Sequence, residues 1–293
     1  MDIKLPSIPV VREPGDYEQD GLLYCGKCHT KKQMRIKMFG VTQTVMCMCS
    51  CAQEKAAAEK AKRKEYERMV ALDRSRHDAF QDGRMIYWTF AGDDGTNKKL
   101  SMMAHKYADN FQHFLENGRG LLLYGNTGTG KTFAACCIAN QLIDDGYSAL
   151  VKNFSTIGNE LLSTWSKDDY MRQLNSVSLL VLDDLDIERQ SEYMQETVYN
   201  VIDGRYRAGK PVIVTTNLTA EQLKNPSNVD KRRVYSRLMD MCIPVPVSGE
   251  DRRYKRAPAS LAEDMAILNG KIAAANLKPW RELQGFPCSC LRR

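Results

Sequence analysis

The chain has 293 residues, with 42 lysines and arginines against 36 aspartates and glutamates, a formal charge of +6. With 43% apolar and 27% charged residues it can bury a full core, which excludes a disordered tail, a collagen or a membrane bundle. The mild basic excess permits contact with nucleic acid without demanding it. Residues 1–20 carry Pro6, Pro9 and Pro14 without periodicity and read as a loose leader. The opening Met1-Asp2-Ile3-Lys4-Leu5-Pro6 lacks the basic-then-apolar layout of a signal peptide, so a cytoplasmic protein with no membrane partner is expected.

Residues 21–52 hold five of the ten cysteines: Cys25, Cys28, Cys47, Cys49 and Cys51. Clustered cysteines without a secretory signal point to metal rather than disulfides. Cys25-Gly26-Lys27-Cys28 is a knuckle able to grip one side of a tetrahedral zinc. Two of Cys47, Cys49 and Cys51 would complete the set, with His29, next to Cys28, as a weaker substitute. Short strands over Met34–Met38 and Val41–Val45, turning at Gly40, make the module zinc-ribbon-like. Cys136, Cys137 and Cys242 stand in apolar surroundings and read as core residues. Cys288 and Cys290 lie in a tail that fits no pattern.

Residues 53–75 are rich in Ala, Glu, Lys and Arg with almost no apolar stripe, which predicts a solvated linker helix. From about residue 105 short apolar strands alternate with amphipathic helices. Strands are predicted at Gly120–Tyr124, Ser148–Val151, Ser178–Leu182, Pro211–Thr215 and, more weakly, Ile243–Val247. Helices are predicted at Lys131–Ile143, Thr156–Trp165 and Glu192–Arg207, the last with Met194, Val198, Val201 and Ile202 on one face. This alternation implies a parallel sheet with helices on both faces. The domains expected are a leader and cysteine module (1–52), a helical linker and following segment (53–104), an α/β domain (105–256) and a C-terminal tail (257–293) in which Ala259–Ala275 looks helical.

Gly125-Asn126-Thr127-Gly128-Thr129-Gly130-Lys131-Thr132 fits the phosphate-loop pattern in full, with a strand before it and a helix after it. Its glycines let consecutive N–H groups curl towards phosphate oxygens, and the helix beginning near Lys131 adds its positive end. Lys131 would reach the β- and γ-phosphates and Thr132 would ligate Mg²⁺. The apolar run Leu179–Leu182 ends in Asp183 and Asp184, which places two carboxylates at the ligand-binding edge of such a sheet. Asp183 would hold Mg²⁺, and Asp184 would orient the attacking water. Thr215-Thr216-Asn217 ends the next strand. A polar group there can bond the water or the γ-phosphate, or else Asn217 or Thr219 caps a helix.

These residues, together with Tyr193–Arg207, Lys210–Leu218 and Arg233-Val234-Tyr235-Ser236-Arg237-Leu238, make the chain resemble the AAA+ ATPases of the DnaC/DnaI helicase-loader and IstB-like group, over about residues 20–256. The resemblance implies an AAA+ (ASCE) sheet flanked by helices behind a small zinc-ribbon-like module, with ATP, Mg²⁺ and structural zinc as cofactors. It implies that Asn217 is the sensor-1 residue. It makes Arg237 an arginine finger acting on a neighbouring subunit, with Arg233 in support. Arg253 is the sensor-2 candidate and Arg252 its competitor. Relatives often carry Asp-Glu where this chain has Asp183-Asp184, and the shorter side chain predicts slow turnover. The resemblance further implies that the N-terminal module docks on a replicative helicase, and that Trp165, Ser191 and Tyr193 face a pore able to stack on single-stranded DNA. Trp165 and Tyr193 read alternatively as packing residues of their helices. The function implied is ATP-dependent helicase loading, with an IstB-like transposition regulator and an ATP-gated, non-hydrolysing adaptor as alternatives.

Overall fold

The computed structural model describes residues 12–38, 40–80, 82–185, 192–252, 261 and 264–269. It divides into two compact units, residues 1–73 and 74–293. In the first, β1 (Tyr17–Gln19) pairs antiparallel with β2 (Leu22–Tyr24), and β3 (Gln33–Met38) with β4 (Val41–Met46). The second pair is the predicted hairpin. The first begins inside the stretch expected to be a loose leader, because Tyr17 stacks on Tyr24 and Asp16 pairs with Lys32 at 2.6 Å. The unit boundary falls within α1 (Ser50–Ala79).

The second unit is built on a five-stranded sheet. Its helices and strands in chain order are α2 (Lys98–Asp109), α3 (Phe111–Glu116), β5 (Gly120–Tyr124), α4 (Lys131–Asp144), β6 (Ala149–Asn153), α5 (Phe154–Ser163) and α6 (Lys167–Ser176). They continue with β7 (Leu179–Asp183), α7 (Glu192–Ala208), β8 (Val212–Thr216), α8 (Ala220–Lys224), α9 (Val229–Met241) and β9 (Cys242–Pro246). The strand order is β6-β7-β8-β5-β9, every neighbouring pair parallel. A parallel sheet covered on both faces needs strands apolar on both sides. Leu121–Leu123, Leu179–Leu182 and Val212–Val214 meet that need and are buried throughout. Every predicted strand is present, shifted by one residue at most at its start.

Two helix expectations change. The helix predicted over Thr156–Trp165 runs over Phe154–Ser163, because the Asn153 side chain accepts the Thr156 N–H and sets its first turn. Ser166 then caps a second helix, α6, which the pattern reading missed. The solvated linker helix is exposed along most of its length, yet its end is anchored: Ala79, its last residue, and Phe80 just after it are buried, and Phe80 bridges to Val151 of β6. No described helix is long and apolar enough to cross a membrane. The helix expected at 259–275 lies largely outside the described residues, as do Cys288 and Cys290.

Candidate active site and metal centre

The strand order puts β8 between the strand that feeds the phosphate loop and the strand that carries the acids. All three release their chains at the same edge of the sheet. The loop leaves β5 at Gly125, whose φ of +132° and close approach to the Val247 carbonyl exclude a side chain: a Cβ would lie 2.3 Å from that oxygen. At Gly128, φ +74°, a Cβ would lie 1.9 Å from an Asp251 carboxylate oxygen. α4 begins at Lys131 with Gly130 as its cap residue and no side-chain cap, so its first N–H groups serve the loop. The Lys131 ammonium is buried and donates to the Gly125 carbonyl (2.7 Å), the Asn126 carbonyl (2.6 Å) and Asn217 Oδ1 (3.0 Å). Thr127–Phe133, Asp183, Asp184, Thr215, Asn217 and Trp88 line the cleft above.

Asn217 has two roles at once. Its Oδ1 takes the Lys131 proton, and its Nδ2 donates to Asp184 Oδ1 at 3.0 Å. It does not cap α8. Thr219 does, in a capping box with Gln222. Asp183 ends β7 and accepts from the Thr215 hydroxyl at 2.7 Å. Asp184 takes the left-handed backbone, φ +55°, which aspartate tolerates better than most residues. The loop glycines, the buried lysine and the helix end form a donor set that fits a nucleotide's phosphates. Thr132 and Asp183, both on the cleft, fit an accompanying Mg²⁺.

Sequence reasoning missed Trp88, gave Thr215 no role of its own within Thr215-Thr216-Asn217, and of the segment after β9 named Arg252 and Arg253 but not Asp251, whose carboxylate lies against Gly128. Trp88 reaches the cleft because Asn140, buried on α4, donates to the Met85 and Trp88 carbonyls (3.1 and 3.0 Å) and anchors the turn that carries it. The available signal was an asparagine directly after the apolar run Phe133–Ala139.

In the first unit, the sulfurs of Cys25, Cys28, Cys49 and Cys51 lie within 4.8 Å of one another. Cys25 and Cys51 are 3.6 Å apart, Cys49 and Cys51 3.4 Å. A tetrahedral zinc with Zn–S near 2.3 Å sets its sulfurs about 3.7 Å apart, so these four fit it. Cys47 is outside the set, its thiol bonded to the Lys31 carbonyl at 3.4 Å, and His29 is not among the four. The thiols are driven in opposite directions. The Thr30 hydroxyl, with the Cys51 and Thr30 amides, pulls Cys28 down to about 5, and contacts with Cys49, Cys28 and Cys25 push Cys51 up to about 12. Four cysteine sulfurs gathered this closely could hold a metal ion.

A family model described as IstB-like ATP binding protein matches residues 39–260. The chain belongs to this family. The replicative helicase loader DnaI of Bacillus subtilis (strain 168) is 28% identical over 171 residues, covering 53% of this chain and 55% of that protein. The replicative helicase loader DnaC of Escherichia coli (strain K12) is 26% identical over 125 residues, covering 41% and 50%. The chain thus spans about half the length of the curated relatives it matches. A crystal structure titled as that of DnaI has the same fold at TM-score 0.51 and 22% identity, covering 61% of this chain and 99% of that one.

In this IstB-like protein the remaining predicted residues are spread out. Arg237 is not on the chain's own cleft. Its guanidinium donates to Asp203 (2.7 Å) and the Tyr199 hydroxyl (2.9 Å) and lies 4.8 Å from the Tyr199 ring centre. Arg233 is exposed and 3.7 Å from Asp230. Arg253 and Ser191 lie outside the described residues. Arg252 is packed against the loop, where a Cβ on Gly130 would come within 3.2 Å of its guanidinium carbon, and it pairs with Asp94 at 3.3 Å. Trp165 lies between α5 and α6, fully exposed, so it is not a core residue. Tyr193 is partly exposed on α7, with the Lys167 ammonium 5.9 Å from its ring centre.

Proposed function

We propose that this chain is an Mg²⁺-dependent ATPase that loads a replicative helicase onto single-stranded DNA, as the names of its DnaI and DnaC relatives suggest. The observation that supports the ATPase part of this reading is the continuous link Lys131–Asn217–Asp184, which joins the phosphate loop to the carboxylate that would orient water. Lys131 and the loop N–H groups bind and orient the phosphates. Asn217 holds Asp184 so that its other oxygen can accept a proton from the attacking water. Mg²⁺, when bound, supplies positive charge to the phosphate oxygens. Arg237 completes the cleft of a neighbouring copy, and Asp203 and Tyr199 hold it in the meantime. Trp165 and Tyr193, the latter with the Lys167 ammonium 5.9 Å from its ring centre, offer stacking surfaces for bases.

The test is hydrolysis by the full chain with and without single-stranded DNA, beside Arg237→Ala. Turnover stimulated by DNA in the native protein, and lowered about 100-fold or more in the variant with nucleotide affinity unchanged, is the expected result. An Arg237→Ala enzyme with native stimulated turnover would remove the finger. Stimulation by duplex alone would favour the transposition-regulator reading that the IstB-like description keeps open. Tight ATP binding without turnover would favour the adaptor, for which the short Asp184 is the reason.

The cysteine module is the helicase-docking end in this reading, and zinc is its expected metal. Metal analysis should find about one zinc per chain. Cys49→Ser should lose it and unfold the module, whereas Cys47→Ser should keep both. Equal zinc loss in the two variants would contradict the assignment of the four ligands.

A further inference from the structure

We propose that Thr215 is a positioning residue that sets both acids at once, an inference resting on the ATPase reading above. The Thr215 side chain is buried at the end of β8, between β7 and the phosphate loop. A hydroxyl has one proton to give and lone pairs to receive, and this one uses both on neighbouring residues of the acidic pair. It donates to Asp183 Oδ1 at 2.7 Å and accepts the Asp184 N–H at 2.9 Å. One residue further on, the ladder resumes: the Leu185 N–H donates to the Thr215 carbonyl at 2.8 Å.

The consequence is a bulge of one residue. β7 pairs regularly with β8 up to Leu182, opposite Val214. The chain then turns through the left-handed conformation at Asp184 before pairing again at Leu185. In a continued strand the Asp184 N–H would look for a backbone carbonyl. Here the threonine hydroxyl takes the place of that carbonyl, which lets the Asp184 side chain meet Asn217. The same hydroxyl fixes the rotation of the Asp183 carboxylate, whose terminal torsion is otherwise broad. Thr215 therefore determines where the Mg²⁺-binding oxygen and the water-orienting oxygen stand relative to each other. It touches neither phosphate nor water in this role, so it is not itself catalytic.

Valine has the shape of threonine without the hydroxyl, so Thr215→Val removes both bonds and little volume. Serine keeps the hydroxyl. The full-length chain and both variants are compared by thermal melting, by titrating Mg²⁺ against the binding of a fluorescent ATP analogue (mant-ATP), and by hydrolysis. For a folded Thr215→Val we expect the Mg²⁺ midpoint for mant-ATP binding to rise about tenfold and kcat to fall about 10- to 100-fold with KM little changed. Thr215→Ser should restore both. A merely structural threonine would lower the melting temperature and leave the Mg²⁺ midpoint and the kcat-to-KM split where they were, and that result would overturn the proposal. If native protein binds mant-ATP but does not hydrolyse ATP, the ATPase reading fails. The Mg²⁺ midpoint then decides alone, a rise in Thr215→Val supporting the positioning role and an unchanged value ending it. Should the valine variant not fold, Thr215→Ala against Thr215→Ser carries the same comparison.

Discussion

Arg205→Leu is expected to lose about 3–5 kcal/mol of stability in the ATP-binding unit. Arg205 sits on α7 with its side chain wholly buried. Its guanidinium donates to the carbonyls of Val177 (2.8 Å), Leu174 and Asn175 (both 3.4 Å), Ser178 (3.3 Å) and Pro211. Burial lowers its pKa only to about 10, so it stays charged at neutral pH. These carbonyls come from the end of α6 and the approaches to β7 and β8. The two terminal nitrogens of a single fork therefore fasten a helix end to the entry edges of two core strands, while the Nε–H is buried without a partner among the described residues. Leucine would leave the carbonyls buried without donors. In a unit of this size about 2–4 °C is lost per kcal/mol, so a fall of about 10 °C in Tm is expected by calorimetry. Arg205→Lys should recover little, because an ammonium cannot reach both groups of carbonyls. A leucine variant melting within about 2 °C of native would contradict this account.

Arg205 also shows where the sequence stops being informative. Leu121–Leu123, Leu179–Leu182 and Val212–Val214 announce a covered parallel sheet because their apolar runs leave no polar face. The phosphate loop is equally plain, since its glycines answer to a local backbone requirement. Arg205 falls on the predicted apolar stripe itself, four residues after Val201 and three after Ile202, so its burial is legible in the pattern; what it does there is revealed only by the distant carbonyls of residues 174–178. Thr215 was hidden for the same reason. Which strand lies beside which is a long-range fact, and β8 comes after β7 in the chain yet lies between it and β5. The cysteines divide similarly. Cys47, Cys49 and Cys51 are equivalent by spacing, but Cys47 directly follows β4 and its N–H and thiol bond the Lys32 and Lys31 carbonyls, whereas Cys49 and Cys51 flank the start of α1 at Ser50. Trp165 closed an apolar periodicity that the Asn153 cap had already shifted by two residues. Ser166, followed by Asp168 and Asp169, was a legible start signal for α6, overlooked because that helix is mostly polar.

Lys131→Ala should weaken mant-ATP binding about 100-fold and bring hydrolysis below detection. The argument is electrostatic and geometric together. The ammonium is held inside the loop by two of the loop's own carbonyls and by Asn217, so its position does not depend on side-chain search when a phosphate arrives. A charged hydrogen bond in such a site contributes about 1.5–3 kcal/mol, and about 1.4 kcal/mol is a factor of ten in affinity. The alanine variant also removes the proton donor to Asn217 Oδ1, so the amide loses one of the two bonds that fix it and Asp184 is held less firmly. Binding and chemistry should therefore fail together, unlike Thr215→Val, where binding at saturating Mg²⁺ survives. Lys131→Arg should not rescue either quantity, because a planar fork cannot serve three acceptors gathered around one nitrogen. Affinity of Lys131→Ala within about threefold of native would mean that the loop N–H groups alone carry phosphate binding, and that the lysine is a structural bridge between the loop and β8.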